Sequence, residues 1–181
     1  MMFSPTSDTL YLSAALVAAS VGSVYDIRSS RIPNVLTAPS MAAGLLLHLI
    51  LGGWSQVASS VLGGFIGGGV FLLLFLLGGM GAGDVKLMAA VGCLAGVGSL
   101  SQILVATVLV GAALAVLLAL YRRSLRQTIT NVVALVTHYR ENGFSRHDDF
   151  NLDNVHTLRM PYAVPIAIGC MVSLWMLVNG R

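Results

Sequence analysis

Two aspartates in apolar surroundings are the residues of this chain whose type and spacing best suit catalysis. Asp84 lies in the polar stretch GAGDVK, residues 81–86, which separates the uncharged runs 57–77 and 87–97. Asp26 ends an earlier apolar run. An ionisable side chain at the edge or in the interior of a membrane is energetically costly and therefore indicates a functional site. Two carboxylates that approach each other cannot readily both ionise, so the pair supplies a general acid and a general base around one water molecule.

That acid–base pair is the arrangement used in aspartic peptidase chemistry. From spacing alone, an equally good interpretation is that each aspartate marks a helix end and has only a capping or topological role. The helix macrodipole favours negative charge where a helix begins and disfavours it where a helix ends. If the pair is catalytic, we therefore expect Asp84 to start as the base and Asp26 as the protonated acid, with the two titrating as a unit. The other acidic residues fall in segments predicted to be exposed: Asp8, Glu141, Asp148, Asp149 and Asp153.

The composition predicts an all-α, polytopic membrane protein. Of 181 residues, 56% are hydrophobic and only 9% are charged, whereas soluble domains carry about 25% charged residues. The net charge of +3 is small, so the basic residues are interpreted as topology markers and not as a nucleic-acid footprint. Cys93 and Cys170 both fall in apolar runs and no CxxC pair occurs, which favours packing roles and predicts no metal. The sequence is expected to form one membrane-embedded domain over residues 1–181.

Six apolar segments are predicted to span the membrane, each near the ~20 residues that a bilayer requires. The predicted spans are 9–25, 35–51, 57–77, 84–98, 101–120 and 161–178. The fourth is short, roughly 22 Å against a ~30 Å hydrocarbon core, which predicts that Asp84 lies below the lipid surface in a wet pocket. Asn34 is the expected N-cap of the second span and Pro39 its expected kink.

Glycines in the third span predict close helix packing. Gly63 with Gly67, and Gly64 with Gly68, are pairs of small residues four positions apart. Such pairs let membrane helices approach backbone to backbone.

The basic residues predict which side each loop occupies. With both termini outside the cell, the cytoplasmic side holds nine of the ten basic residues and only Arg181 lies outside. This is a strong positive-inside bias, and it places both aspartates at the cytoplasmic boundary. Apolar residues between Leu125 and Tyr139 recur at helical spacing, which predicts an amphipathic helix on the cytoplasmic leaflet within the loop at about 121–160.

Two motifs resemble those of prepilin peptidases, which are GxGD-type membrane aspartic peptidases. Residues 81–87, GAGDVKL, resemble the GxGDxK signature of that family, in which Gly81 and Gly83 are motif positions. Residues 26–34, DIRSSRIPN, are similar to the first-aspartate motif, which runs from Asp to Ile-Pro-Asn and includes Pro33 and Asn34. The order, separation and topology of the motifs match over nearly the whole chain, up to the start of the sixth span.

The resemblance implies a function and a location. Asp26 and Asp84 would be the catalytic pair of an aspartic endopeptidase that cleaves prepilin leader peptides at the cytoplasmic face of the inner (plasma) membrane, without a cofactor. The substrate would be a leader peptide joined to an apolar helix, presented among membrane lipids, with pilus or secretion machinery as a possible partner. Lys86 and Arg28 are candidate substrate-binding residues, because they lie beside the two aspartates. For both, the alternative is a topology marker, and Lys86 could instead pair with a carboxylate.

One departure from the family pattern bears on substrate and activity. The long, bifunctional members carry an N-terminal methyltransferase region with a cysteine-rich zinc site, and this sequence lacks those cysteines. The chain therefore resembles the short, peptidase-only branch that serves Flp-type, tight-adherence pili, and no N-methylation activity is expected.

Two other classes of function remain open at this stage. A small proton-coupled transporter or channel could use the aspartates as a proton relay, but it would need polar paths to both sides, and the polar residues of the spans lie mostly at their cytoplasmic ends. A structural assembly factor of a secretion machine would perform no chemistry. A cleavage assay separates these alternatives.

Overall fold

The computed structural model describes residues 5–77, 80–121 and 161–180, and their regular structure is entirely helical. The helices are α1 (Pro5–Ser29), α2 (Asn34–Leu76), α3 (Ala82–Tyr121) and α4 (Ala163–Asn179). The all-α prediction is therefore confirmed. The predicted amphipathic helix and most of the loop at 121–160 lie outside the described residues.

The helices have the length and composition of membrane spans. Three of them, α1, α2 and α3, contain segments long and apolar enough to cross a membrane, and α4 is apolar but shorter. Large apolar side chains point outwards from the bundle, including Phe65, which is 77% exposed, and Leu109, which is 66% exposed. A surface of this kind is favourable in lipid and costly in water.

The second helix folds back on itself at Gly53. This residue has φ 69° and ψ −167°, a conformation that a residue with a Cβ rarely adopts. Gly44 and Gly64, on either side of it, both contact Cys93 of α3. Twenty residues of straight helix would separate them by about 30 Å, so residues 34–52 and 54–76 form two antiparallel arms.

The third helix reverses in the same way at Gly96, which has φ 69° and ψ 173°. Met88 and Leu100, on opposite sides of this turn, both lie against Gly67. The reversal interrupts the hydrogen bonds within the helix, and two serines of α2 bind backbone groups on either side of the turn. Ser60 Oγ donates to the carbonyl of Cys93 at 2.6 Å, and the N–H of Val97 donates to Ser59 Oγ at 3.2 Å.

The two folded helices pack backbone to backbone, as the glycine pairs predict. A Cβ built on Gly63 would meet the carbonyl oxygen of Gly92, and one on Gly92 would meet that of Gly63. A Cβ on Gly68 would lie 2.9 Å from Cβ of Ala89. This close contact fixes the first arm of α3, which carries Asp84, against α2.

The last helix runs antiparallel to the second arm of α3. Pro165 lies near Gly111, Gly169 packs on Thr107, and Ser173 Oγ donates to Gln102 Oε1 at 3.1 Å. The start of α4 is thereby brought to the end of the bundle where α1 ends and α3 begins. The core between α1, α3 and α4 consists of buried apolar side chains, among them Leu12, Leu87, Met88, Val91, Ile103 and Ile166.

Three local predictions were wrong. The arms of α2 and α3 meet at single glycines, so the second arm of α2 begins near 54 and not 57, and the first arm of α3 ends at Gly96 and not at 98. Gly53 is the one residue of α2 with non-helical φ and ψ, and the kink expected at Pro39 stays a prediction. Asn34 is not the N-cap, because Pro33 takes that position with φ −73° and ψ 144° and no side chain caps the helix.

Candidate active site

Asp26 lies in the last turn of α1 and is buried, with 8% of its surface exposed. Its Oδ2 accepts a hydrogen bond of 3.4 Å from the backbone N–H of Ala163, the first residue of α4. The first N–H groups of a helix have no partner within the helix, and the N-cap residue Tyr162 makes no side-chain cap bond. Asp26 of α1 therefore caps α4 from a different helix.

Asp84 lies in the first turn of α3 and is also buried, with 7% exposed. Its Oδ2 accepts from the N–H of Gly81 at 3.1 Å, while its own N–H donates to the carbonyl of Gly81 at 3.1 Å. The bond from Gly81 to Asp84 is one half of a capping box, in which an acidic side chain at the third helical position binds the N–H of the N-cap residue; Gly81 has no side chain, so its carbonyl accepts the second bond. The carboxylate is thus held at the positive end of the α3 macrodipole.

Neighbouring contacts bring together the two helix ends that carry the aspartates. A Cβ built on Gly22, one turn before Asp26, would lie 2.8 Å from Leu87, which is one turn after Asp84. The end of α1 and the start of α3 therefore lie side by side, and the start of α4 joins them where the N–H of Ala163 contacts Asp26.

The structure shows where the four other motif residues lie, which are Gly81, Gly83, Pro33 and Asn34. Gly81 provides the N–H that binds Asp84. A Cβ on Gly83 would lie 3.3 Å from Cβ of Ile32, so the segment after Asp26 packs directly on the start of α3. Pro33 and Asn34 begin α2 immediately after that segment.

The two basic candidates are exposed beside this site. Lys86 Nζ donates to Asn34 Oδ1 at 3.0 Å, which links the motif around Asp84 to the motif around Asp26. Arg28 lies in the last turn of α1.

Two polar residues at the site were missed in the sequence. Ser23 is buried one turn before Asp26, and its Oγ lies 2.7 Å from the carbonyl oxygen of Ala163 and 2.8 Å from that of Ala19. Its position three residues before Asp26 places both on one face of α1, which is a signal that the sequence does contain. Tyr162, the N-cap of α4 beside Ala163, gave no such signal, because it is distant from Asp26 in the sequence.

Comparison with known proteins identifies the family of this chain. The family model for the type IV leader peptidase family matches residues 11–116, which include both aspartates. The chain therefore belongs to the type IV leader peptidase family. The match does not extend to Tyr162, Ala163 or the rest of α4.

Curated relatives agree with the family assignment. A "Prepilin leader peptidase/N-methyltransferase" of Burkholderia pseudomallei (strain 1026b) is 31% identical over 133 residues, which cover 69% of this chain and 42% of the relative. A protein of the same name from Aeromonas hydrophila is 38% identical over 104 residues, covering 54% of this chain and 36% of the relative. The chain thus spans less than half the length of these relatives. No solved structure matches it significantly.

Proposed function

We propose that the chain is an aspartic endopeptidase that cleaves the leader peptide of prepilins, with Asp26 and Asp84 as its catalytic pair. The observation that carries the proposal is the burial of two carboxylates on helix ends that lie side by side, Asp26 in the last turn of α1 and Asp84 in the first turn of α3. Family membership and the names of the relatives support the same reaction.

In the proposed mechanism, the ionised carboxylate removes a proton from a water molecule, whose oxygen attacks the scissile carbonyl carbon. The protonated carboxyl donates its proton to the carbonyl oxygen, which gives a neutral tetrahedral intermediate. The C–N bond then breaks as the leaving nitrogen takes the proton that the first carboxylate had removed from water, while a hydroxyl of the intermediate gives its proton to the second carboxylate and becomes the product carbonyl. Each proton removed is thus returned, and the pair is regenerated.

The structure changes the argument for which aspartate is the base. The sequence expectation separated them by helix ends, with Asp84 at a favourable N-terminus and Asp26 at an unfavourable C-terminus. In the fold, Asp26 also contacts a helix N-terminus, that of α4. The dipole argument therefore no longer distinguishes them, and the acid and base roles are proposed for the pair as a unit.

The proposed topology has six crossings of the inner (plasma) membrane, with both termini outside and the aspartates at the cytoplasmic boundary. The reversals at Gly53 and Gly96 support it, because they turn two long helices into four arms. Exposed aromatic residues, which are typical of membrane interfaces, occur at both ends of the bundle. Trp54 lies at the end away from the aspartates and Tyr25 lies next to Asp26.

The proposed substrate is a short basic leader joined to an apolar helix that the membrane itself presents, and the Flp type is the prepilin that the sequence favours. Lys86 and Arg28 are proposed to contact it, because both are exposed on the aspartate side of the bundle. Membrane lipids surround the bundle, and pilus or secretion machinery is the proposed wider partner.

A cleavage assay in detergent tests the function. We expect the purified chain to cut a prepilin peptide at one site by mass spectrometry, and Asp26→Asn and Asp84→Asn each to lose at least about a thousandfold in kcat. Asp8→Asn is the matched control, since Asp8 lies in the first turn of α1, at the opposite end from Asp26. Cleavage by either catalytic variant at the rate of the control would contradict the proposal. Proton flux across liposomes without cleavage would favour the transporter instead.

A further inference from the structure

A serine that belongs to neither motif joins α1 to the first turn of α4. Ser23 Oγ donates to the carbonyl of Ala163 at 2.7 Å, across 140 positions of sequence, and lies 2.8 Å from the carbonyl oxygen of Ala19 within its own helix. The hydroxyl has a single proton, so the two carbonyls share it. Ser23 is 8% exposed, so water does not readily replace this bond.

The residue that Ser23 holds is the same one that contacts Asp26. The Ala163 carbonyl accepts from Ser23, and the Ala163 N–H donates to Asp26 Oδ2 at 3.4 Å. Two side chains of α1 therefore bind the same residue of α4: Ser23 binds its carbonyl group and Asp26 binds its N–H group. A displacement of this turn would therefore move the N–H group that contacts the Asp26 carboxylate.

We infer that Ser23 is a positioning residue for Asp26: by binding the Ala163 carbonyl, it fixes the first turn of α4, whose N–H contacts the Asp26 carboxylate. The inference rests on the proposed function of Asp26 and Asp84 as the catalytic pair. Ser23 acts in this role only through Ala163. Among the described residues, titratable groups around this turn include Asp26 of α1, Tyr162 at the N-cap of α4, and Asp84 at the start of α3, which packs against α1.

The chain contains a matched control on the same helix. Ser13 Oγ donates to the carbonyl of Thr9 at 2.6 Å, which is the same bond to the residue four positions earlier that Ser23 makes to Ala19. Ser13 is exposed and lies away from the aspartates. Ser13→Ala thus removes the intrahelical bond alone, whereas Ser23→Ala removes the bond to α4 as well.

The first measurement needs no substrate. Amide hydrogen exchange of the purified protein in detergent, followed by mass spectrometry, is expected to show faster exchange at the start of α4 in Ser23→Ala than in wild type. Ser13→Ala is expected to leave that segment unchanged. Equal exchange in the two variants would overturn the inference, whether or not the chain is a peptidase.

The second measurement concerns catalysis. Ser23→Ala is expected to lower kcat about two- to tenfold with KM unchanged, and to displace the pH–rate profile, because one well-formed hydrogen bond holds the turn. If kcat falls only in proportion to the fraction of folded protein and the pH–rate profile does not change, the positioning role is overturned. If Ser23→Ala does not fold, Ser23→Cys, whose thiol is a larger group and a weaker donor than the hydroxyl, must show the same changes. The proposed function fails separately, if Asp26→Asn or Asp84→Asn cleaves normally.

Discussion

Replacing Gly44 by alanine tests the backbone contact that holds α3 in place. An ideal Cβ at Gly44 lies 2.7 Å from both the carbonyl carbon and the oxygen of Cys93, and 2.9 Å from the nitrogen of Leu94. Ordinary contact begins at 3.4 Å, so the arms must separate by about 0.7 Å. A gap of that size forfeits about a quarter to a half of each dispersion contact along the interface.

Two opposing effects determine how much Gly44→Ala changes the free energy of unfolding. Alanine gains about 0.8–1 kcal/mol over glycine in helix propensity, whereas overpacking a rigid contact costs about 1–3 kcal/mol. The atoms that the new methyl group meets are backbone atoms, which cannot rotate away, so we expect the upper part of that range. Gly44→Ala should therefore be destabilised by about 1–2 kcal/mol in net terms.

Gly69→Ala is the control for this experiment. Gly69 lies in the same helix, but no atom lies within 4 Å of its ideal Cβ. The propensity gain should then act alone and raise stability. Thermal unfolding in detergent is expected to give a lower Tm for Gly44→Ala than for wild type and an equal or higher Tm for Gly69→Ala. Equal Tm values for the two variants would refute the claim that backbone contact between α2 and α3 sets the packing.

Three further predictions concern single polar groups. Thr107 is buried and its hydroxyl has no hydrogen-bond partner among the described residues, so Thr107→Val should raise Tm, since an unsatisfied buried group costs about 1–3 kcal/mol. Ser60→Ala should lower Tm, because Ser60 binds the Cys93 carbonyl; a Tm that falls in both variants would contradict the first expectation. Lys86→Met should leave Tm nearly unchanged, because its bond to Asn34 is exposed. If Lys86 binds substrate, KM should rise in that variant with kcat retained, and an unchanged KM would leave it as a topology marker.

Much of the architecture could be predicted from the order of residues. Long uncharged runs can form only helices in a bilayer, because every backbone polar group must be satisfied within the segment. The glycine pairs at 63, 64, 67 and 68 predicted the close contact with α3, since small side chains at that spacing permit it. Asp26 and Asp84 were found from charge in apolar surroundings, and the structure buries both.

The cap of α2 and the bends in the long helices were decided by contacts that no local pattern contains. Asn34 has the side chain of an N-cap, but its oxygen binds Lys86 from α3. The reversal of α2 lies at Gly53, where φ is positive and no side chain opposes it. At Asn34 a distant partner outweighed the local preference for capping, and at Gly53 the absence of a steric obstacle allowed the helix to reverse.

The sequence by itself determined which groups are candidates for chemistry, because charge and hydropathy are properties of the residues alone. Only the tertiary structure decided what those groups meet. Asp26 binds the N–H of a residue 137 positions away, and Ser23 binds the carbonyl of the same residue. Backbone N–H and carbonyl groups are alike at nearly every position, so only the packing of α4 against α1 and α3 selects Ala163 as their partner.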